Sequence, residues 1–264
     1  MNRRTFITNT ALSSLALSLP SFRAKGKSHI LTFSFDDGFK KSFFKVADIH
    51  ENYGLKACFN TIATGHFKNF IVKDDWILPE ILGNFNDWNA LKERGHEVMP
   101  HTWQHLNLTK IPLSQAKKNI DKCLDYFEAN LQNYKAEEAI YNFAYNASNL
   151  ELENHCLERV RAVRTGGRMT LNQRGVNPLP EKKEGLTLGC WAKGPDLGDE
   201  FVEKEVSRFL DSSGGWLVIN LHGLDKEGWG PVSTSYFDQL LKRLVDIKKL
   251  DVMPVGEVLK SWKA

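Results

Sequence analysis

Segments with the character of β-strands alternate along this chain with segments that have the periodicity of amphipathic helices. The first strand is predicted at Ile30–Phe35 and the second at Leu55–Ala63, with a helix between them that ends near Gly54. Further strands are predicted over residues 97–99, 140–144, 162–163, 186–191, 216–221 and 252–255. Strands that alternate with helices pair in parallel, so the pattern predicts an α/β fold with a closed or nearly closed barrel, or alternatively an open doubly wound sheet.

Two further helices are predicted around residues 120–131 and 237–245, where apolar residues recur every three to four positions. The stretch from Gly166 to Gly185 is rich in Gly, Pro, Asn and charged residues, and it is predicted to be a long loop. Because no repeat, linker or low-complexity segment divides the chain, residues 25–264 are expected to form one domain.

The first 24 residues differ in composition from the rest of the chain. Arg3 and Arg4 precede an apolar stretch over residues 11–19 that is rich in Ser and Ala and too short to span a bilayer. Residues 1–24 are therefore predicted to be an export signal of the twin-arginine type, and the protein is expected in the periplasm or outside the cell. An amphipathic first helix of the mature protein is the alternative.

The distribution of charge and cysteine excludes several classes of partner. The formal net charge of the whole chain is +3. The first 24 residues contain three arginines and no acidic residue, so they account for all of this charge. No dense run of Lys and Arg follows, so neither nucleic acid nor stable membrane insertion is expected. Four scattered cysteines lack the spacing of a zinc site and are predicted to be small buried residues, although export would permit them to pair: Cys58, Cys123, Cys156 and Cys190.

Polar residues that could take part in catalysis or metal binding follow three of the predicted strands. Asp36 and Asp37 follow the first strand, His101 follows the third, and His222 follows the strand over 216–221. In parallel barrels the loops at the carboxyl ends of the strands build the active site. These side chains are therefore expected to meet at one end of the fold.

His101 and His105 are four residues apart, which on one helical turn would place both imidazoles on the same face. Together with a carboxylate from the Asp36–Asp37 pair they would form a set of two His and one carboxylate. Such a set leaves coordination positions open for water and substrate, as a catalytic metal requires. A non-haem iron oxygenase uses the same set, but it is usually recognised by a His-x-Asp pair, which this motif lacks.

Three segments resemble, in order, the signature motifs of one enzyme family. They are Thr32–Gly38 (TFSFDDG), His101–His105 (HTWQH) and Leu217–His222 (LVINLH). They are similar to motifs of the polysaccharide deacetylases, the NodB-homology group of carbohydrate esterase family four, and the similarity extends over roughly residues 28–258. The resemblance implies a single distorted (β/α) barrel of about seven strands and one divalent metal ion, usually zinc.

The resemblance also implies roles for individual residues. By position, three residues match the family's metal ligands: Asp37, His101 and His105. Asp36 matches the general base that deprotonates the attacking water, and His222 matches the general acid. Leu221 matches the apolar wall that receives the acetyl methyl group.

The third motif of the family is altered in this chain. The family carries an Arg, a Pro and a Tyr there, whereas this chain has Tyr141–Asn146, in which Tyr145 matches the Tyr and is expected to contact substrate. Asn146 stands in place of the Pro and the Arg is absent, so we predict that Arg164, near the end of the next strand, orients Asp36 instead. The fourth motif is not recognisable, and the acid that would tune His222 has no candidate.

The predicted activity is hydrolysis, through a metal-activated water, of N- or O-linked acetyl groups on a poly- or oligosaccharide. Trp103, beside the two His, and Trp229, in the loop after His222, are candidates for stacking on sugar rings. Two alternatives stay open at this point: hydrolysis of a small amide or formamide on the same fold, and a carbohydrate-binding relative with impaired catalysis.

Overall fold

A computed structural model describes residues 27–166, 174–180 and 185–261 of the chain. The predicted export signal over residues 1–24 lies outside the described residues. The predicted loop over 166–185 lies partly outside them. Within the described residues, no helix is both long enough and apolar enough to cross a membrane.

The first strand, β1 (His29–Phe35), lies at the centre of the larger sheet and is buried along its whole length. It pairs in parallel with β8 (Gly215–Leu221) over seven residues. On its other side it pairs with β2 (Cys58–Thr61) at its carboxyl end and with β9 (Leu250–Val252) at its amino end. The carboxyl ends of β1, β2 and β8 therefore lie at the same edge of the sheet, where Asp36 and Asp37 follow β1 and His222 follows β8.

The remaining strands complete two sheets. In the larger sheet, β3 (Glu97–Pro100) pairs in parallel with β2, and the short β6 (Val176–Asn177) pairs antiparallel with β8. The second sheet contains β4 (Ile140–Asn142), β5 (Ala162–Thr165) and β7 (Leu186–Gly189), all parallel. The α/β class is confirmed. The strands of the described residues pair into two sheets and not into one closed ring. The described residues contain nine strands instead of the predicted seven or so, and several of them are only two to four residues long.

The two sheets touch at isolated contacts. Trp191 forms a parallel bridge to Ile219 in β8, which connects the end of β7 to the larger sheet. Across the other gap, the side-chain amide of Asn142 in β4 donates to the carbonyl of Pro100 in β3, at 3.2 Å. These contacts bring the carboxyl ends of β3 and β4 together beside those of β1 and β8.

Helices pack their apolar faces against the strands. They are α1 (Lys40–Asn52), α2 (Phe85–Glu93), α3 (Leu113–Asn130), α4 (Leu150–Leu157), α5 (Asp199–Leu210), α6 (Thr234–Leu244) and α7 (Val255–Ser261). The helices predicted before Gly54 and around residues 120–131 and 237–245 are confirmed as α1, α3 and α6. In α6 the buried face consists of Phe237, Leu240, Leu241 and Leu244, and Phe237 contacts Phe33 and Phe35 of β1 edge-to-face.

Three predicted boundaries were wrong. The last strand ends at Val252, because Pro254 has no N–H to donate to a ladder and its carbonyl instead accepts the first helical bond of α7, from Val258. The strand predicted over 140–144 ends at Asn142, and a 3-10 turn follows at Ala144–Asn146. The segment predicted as a long loop contains β6, whose pairing with β8 is a long-range contact that local composition does not encode.

The prediction for the cysteines is confirmed as far as burial is concerned. All four are buried with free thiols: Cys58, Cys123, Cys156 and Cys190.

Candidate metal centre

Two adjacent aspartates at the end of β1 form the floor of the candidate site. The N–H of Asp36 donates to the carbonyl of Leu221 at 2.8 Å, which continues the pairing of β1 with β8 by one residue. Asp37 then turns away with φ 77, a left-handed conformation that an Asp adopts more readily than most residues. Both residues are only 2% exposed, so two neighbouring carboxylates are buried at one strand end. Burial of both requires nearby positive or hydrogen-donating groups.

The two imidazoles of the HTWQH motif face the second of these carboxylates. Nε2 of His101 lies 3.4 Å from Oδ1 of Asp37, and Nε2 of His105 lies 3.3 Å from the same oxygen. One ligand atom from each of the three residues lies within 4.8 Å of the others, and all three residues are buried. The structure thus brings together the three side chains predicted to hold a metal.

The far nitrogen of each imidazole fixes its tautomer. Nδ1 of His101 lies 3.1 Å from the carbonyl oxygen of Asn142, and Nδ1 of His105 lies 2.8 Å from Oδ2 of Asp74. Since a carbonyl and an ionised carboxylate only accept hydrogen bonds, each Nδ1 carries the proton. With the proton on Nδ1, each ring presents Nε2 to Asp37, and the lone pair of an unprotonated Nε2 points to where a metal ion would be ligated.

The carboxylate of Asp37 shows the clearest demand for a cation. Neither of its buried oxygens has a hydrogen-bond partner among the described residues. Burial alone would raise the pKa of Asp37, but the neighbouring His105 and His101 outweigh it and hold the pKa well below its ordinary value. A buried, ionised and unbonded carboxylate is costly, and a divalent ion between it and two imidazole nitrogens would offset that cost. The residues present therefore fit a metal ion with three protein ligands.

The segment that carries the two imidazoles is not the helical turn that the spacing predicted. Thr102 and His105 have left-handed φ values of 64 and 52, and residues 103–105 form a bend. The hydroxyl of Thr102 accepts the N–H of His105 at 3.0 Å, which closes this bend locally. The carbonyls of Thr102 and Trp103 accept N–H groups from the connection after β2. The ring centroids of His101 and His105 nevertheless lie 5.3 Å apart. The two imidazoles therefore lie side by side, as expected, although the backbone between them is not helical.

Asp36 is held by three hydrogen-bond donors from three strands. Oδ1 accepts from the amide of Asn60 in β2 at 2.8 Å. Oδ2 accepts from the amide of Asn220 in β8 at 2.8 Å and from Nη2 of Arg164 in β5 at 2.6 Å. Burial would raise the pKa of Asp36, but the charge of Arg164 contributes most to lowering it below its ordinary value. Asp36 is thus an ionised carboxylate, 3.7 Å from Nε2 of His101 and beside the candidate metal centre.

Arg164 is fully buried and reaches Asp36 from β5, a strand in the second sheet. Arg164 was predicted to orient Asp36 in place of the Arg of the family's third motif. The hydrogen bond to Asp36 that this role requires is present. Asn146, which stands where the family has Pro, donates from its amide to Oδ1 of Asn220 at 2.9 Å. That bond turns the amide of Asn220 so that its NH₂ group faces Asp36.

His222 directly follows β8 and is half-buried. Its ring meets the ring of Trp229 edge-on, with centroids 5.7 Å apart, and its buried Nδ1 has no partner within the described part of the chain. Burial contributes most to lowering the pKa of His222, against the opposing effect of Asp37 and Asp36. Leu221 is buried beside it.

The other predicted substrate contacts have different surroundings. Trp103 is half-buried and packs edge-to-face against Tyr126 and Phe67, with ring centroids 5.5 and 6.1 Å apart. Tyr145 is 44% exposed, its ring lies 4.7 Å from that of His105, and its hydroxyl donates to Oδ2 of Asp74 at 2.6 Å. Tyr145 therefore lines the centre, and its hydroxyl is engaged by a carboxylate.

Sequence reasoning missed four residues of this site: Asn60, Asp74, Asn146 as a hydrogen-bond donor, and Asn220. Asn60 and Asn220 interrupt buried apolar strands, and a polar side chain in such a strand is a signal that could have identified them. Asp74 lies in the long connection between β2 and α2 and carries no local signal, because its contact with His105 spans 31 residues.

Fold and site together define an α/β protein with a candidate metal centre at the carboxyl ends of its strands. The family model described as polysaccharide deacetylase matches residues 23–156, which is just over half of the chain and includes both aspartates and both imidazoles. The chain therefore belongs to the polysaccharide deacetylase family. No curated protein sequence matches the chain.

Several solved structures share the fold of this chain. A candidate polysaccharide deacetylase from Mycobacterium smegmatis is 10% identical, with 90% of this chain and 91% of that chain covered and a TM-score of 0.65. The peptidoglycan deacetylase PdaC from Bacillus subtilis is 17% identical, with 88% and 91% covered and a TM-score of 0.53. A pseudoenzyme of carbohydrate esterase family 4 from Bacillus anthracis is 12% identical, with 88% and 66% covered and a TM-score of 0.54. At these identities the likeness establishes the fold alone.

Proposed function

We propose that the chain is a metal-dependent hydrolase that removes acetyl groups from a poly- or oligosaccharide. The observation that carries this proposal is the buried carboxylate of Asp37, whose two oxygens lack hydrogen-bond partners among the described residues while two imidazole nitrogens face it at 3.3 and 3.4 Å. Asp37, His101 and His105 would hold one divalent ion, most simply zinc, which suits a site of two nitrogens and one oxygen. When bound, that ion would acidify a water molecule and polarise the acetyl carbonyl.

Asp36 is the residue that takes the proton from the attacking water. Its carboxylate is ionised and adjoins the metal centre, and Arg164, Asn60 and Asn220 hold it in place. A fixed base avoids the loss of conformational freedom that a mobile one would incur at the moment of reaction. The charge of Arg164 also keeps the carboxylate available as a base rather than as a neutral acid.

His222 is the residue that protonates the leaving group. After water attacks the acetyl carbon, the bond from that carbon to the sugar nitrogen or oxygen breaks, and the departing atom takes a proton from His222. Because burial lowers its pKa, the protonated imidazole is a stronger donor than an exposed one. Leu221, buried at the preceding position, supplies apolar surface for the acetyl methyl group.

The test is acetate release by the purified protein from chitin-, xylan- and peptidoglycan-type substrates, with and without a chelator. We expect release from at least one substrate, its loss on chelation and its recovery on addition of zinc, and a decrease of about 100-fold or more in Asp36→Asn. Lys226→Gln, an exposed residue of the loop after β8, is the matched control. Metal binding without release from any substrate would instead favour a carbohydrate-binding relative. Release only from small amides would favour the amide hydrolase.

We also propose that the protein is exported after removal of residues 1–24. The paired arginines and the short apolar stretch support this proposal. Determination of the amino-terminal residue of the protein recovered from the periplasmic or extracellular fraction tests it. A protein found only in the cytoplasm with its leader intact would contradict it.

A further inference from the structure

A carboxylate outside the family's recognisable motifs contacts one of the two metal-facing imidazoles. Oδ2 of Asp74 lies 2.8 Å from Nδ1 of His105, and the Asp74 side chain is 9% exposed. The same oxygen accepts the hydroxyl of Tyr145 at 2.6 Å. His101 has no such carboxylate, because its Nδ1 donates to the main-chain carbonyl of Asn142 instead. The two imidazoles are thus supported by different kinds of acceptor.

We propose that Asp74 is a positioning residue of the metal centre, an inference that rests on the proposed function. An anionic acceptor at Nδ1 holds the ring of His105 in the tautomer that presents Nε2 towards Asp37 and increases the basicity of that nitrogen. It also limits rotation of the imidazole about its side-chain bonds. A ligand that is oriented before the ion arrives binds it more tightly than one that must be ordered on binding.

The connection between β2 and α2 fixes Asp74 in this position. Phe70 and Ile77, on either side of it in sequence, are buried in a small cluster with Ile62 and Phe39, separate from the main core. The main-chain carbonyl of Asp74 accepts the N–H of Ile77 at 3.1 Å, which forms a tight turn at this residue. The carboxylate is therefore presented by a packed loop rather than by a free surface chain.

Tyr145 supports Asp74 from the opposite side. It lies in the 3-10 turn after β4 with a left-handed φ of 58, a conformation that costs an aromatic residue energy and persists only where other contacts maintain it. Its hydroxyl donates to Asp74 and its ring lies against His105. Asp74 therefore links the turn after β4 to the bend that carries His105.

The experiment measures the dissociation constant of zinc by competition with a chromogenic chelator, using metal-free full-length protein. Asp74→Ala is expected to weaken binding by about 10- to 100-fold, the usual effect of removing such a partner. Asp74→Asn keeps an acceptor and removes the charge, so a loss of about fivefold or more is expected. The neighbouring Asp75 is exposed, and Asp75→Ala and Asp75→Asn are matched controls expected to stay within about twofold of the parent.

A second readout separates positioning from general disruption. With cobalt in place of zinc, the visible absorption bands report ligand geometry, and we expect them to shift in Asp74→Ala and in Asp74→Asn but not in the Asp75 variants. Tyr145→Phe keeps the carboxylate and is expected to weaken zinc binding less than Asp74→Ala does. If metal-free Asp74→Ala does not fold, as judged by near-UV circular dichroism, the isosteric Asp74→Asn provides the result.

The outcomes distinguish this inference from the proposed function. Folded Asp74 variants that bind zinc as tightly as the parent, with unchanged cobalt spectra, would overturn the positioning role and leave the metal-dependent function intact. A parent protein that binds no zinc would overturn both.

Discussion

The contact between Arg164 and Asp36 allows a quantitative test of how the proposed base is held. Both side chains are buried, with exposures of 0% and 2%, and the two charged atoms lie 2.6 Å apart. Arg164→Met removes the cation and keeps most of the side-chain volume, so the hydrogen-bond donors that stay on Asp36 are the neutral amides of Asn60 and Asn220. Breaking a buried pair from one side costs about 3–5 kcal/mol, because it leaves an uncompensated charge.

The magnitude follows from two opposing terms. At 2.6 Å the Coulomb attraction is about 6 kcal/mol with an effective dielectric constant of ~20. Desolvation of each ion costs several kcal/mol, so the intact pair contributes little net stability. Removing both charges in Arg164→Met with Asp36→Asn should therefore be less destabilising than the sum of the single changes, by about 2 kcal/mol or more.

The assay is urea unfolding followed by tryptophan fluorescence, with chelator present so that metal binding does not contribute. Arg161→Met, three residues earlier and half-buried, is the matched control and should change the free energy of unfolding by less than about 1 kcal/mol. A loss below about 1 kcal/mol in Arg164→Met, or additivity of the two changes, would refute the argument that Arg164 compensates the charge of Asp36.

Two further predictions concern other parts of the fold. Burial raises the pKa of Glu97 to about 7, from an ordinary value of 4.5. The folded state therefore keeps Glu97 protonated to a higher pH than the unfolded state does. The contribution of Glu97 to the free energy of unfolding is fully present below about pH 4.5 and is lost as the pH rises through about 7. Glu97→Gln should match the parent at about pH 4 and exceed its free energy of unfolding by up to roughly 3 kcal/mol at about pH 8, as measured by urea titration; an identical pH dependence in the two proteins would contradict this. Asn146 has φ 50, which Pro cannot adopt, so Asn146→Pro should be less stable than Asn146→Gly by about 1 kcal/mol or more in the same assay. Equal stability of the two variants would show that the turn is not left-handed.

The parts of the fold that were predictable from the sequence are those set by local pattern. The alternation of apolar residues in β1 and the helical periodicity of α3 and α6 identify these elements directly, because each buries one or both faces against a neighbour. β6 was missed because two residues have no periodicity and form a strand only through pairing with β8. The division of the strands into two sheets was beyond sequence reasoning for the same reason, since it depends on whether β3 and β4 pair.

The candidate site was predictable where its residues lie at strand ends and was not where they lie in loops. Asp37, His101 and His105 were found because motif and strand boundary coincide, and the structure brings them within reach of one ion. The prediction of a helical turn between His101 and His105 was wrong, because the Thr102 hydroxyl offers the backbone a competing hydrogen bond. Asp74 was missed because only the folded connection after β2 brings it to His105.

The proposed function depends on the binding of one divalent ion by Asp37, His101 and His105 together. The most direct measurement is the zinc content, by mass spectrometry, of protein loaded with zinc and then dialysed, compared between the parent and Asp37→Ala. We expect about one zinc per chain in the parent and less than about a tenth of that in the variant, since loss of the one anionic ligand among the three weakens the site severely. A parent protein without zinc, or a variant that retains a full equivalent, would contradict it.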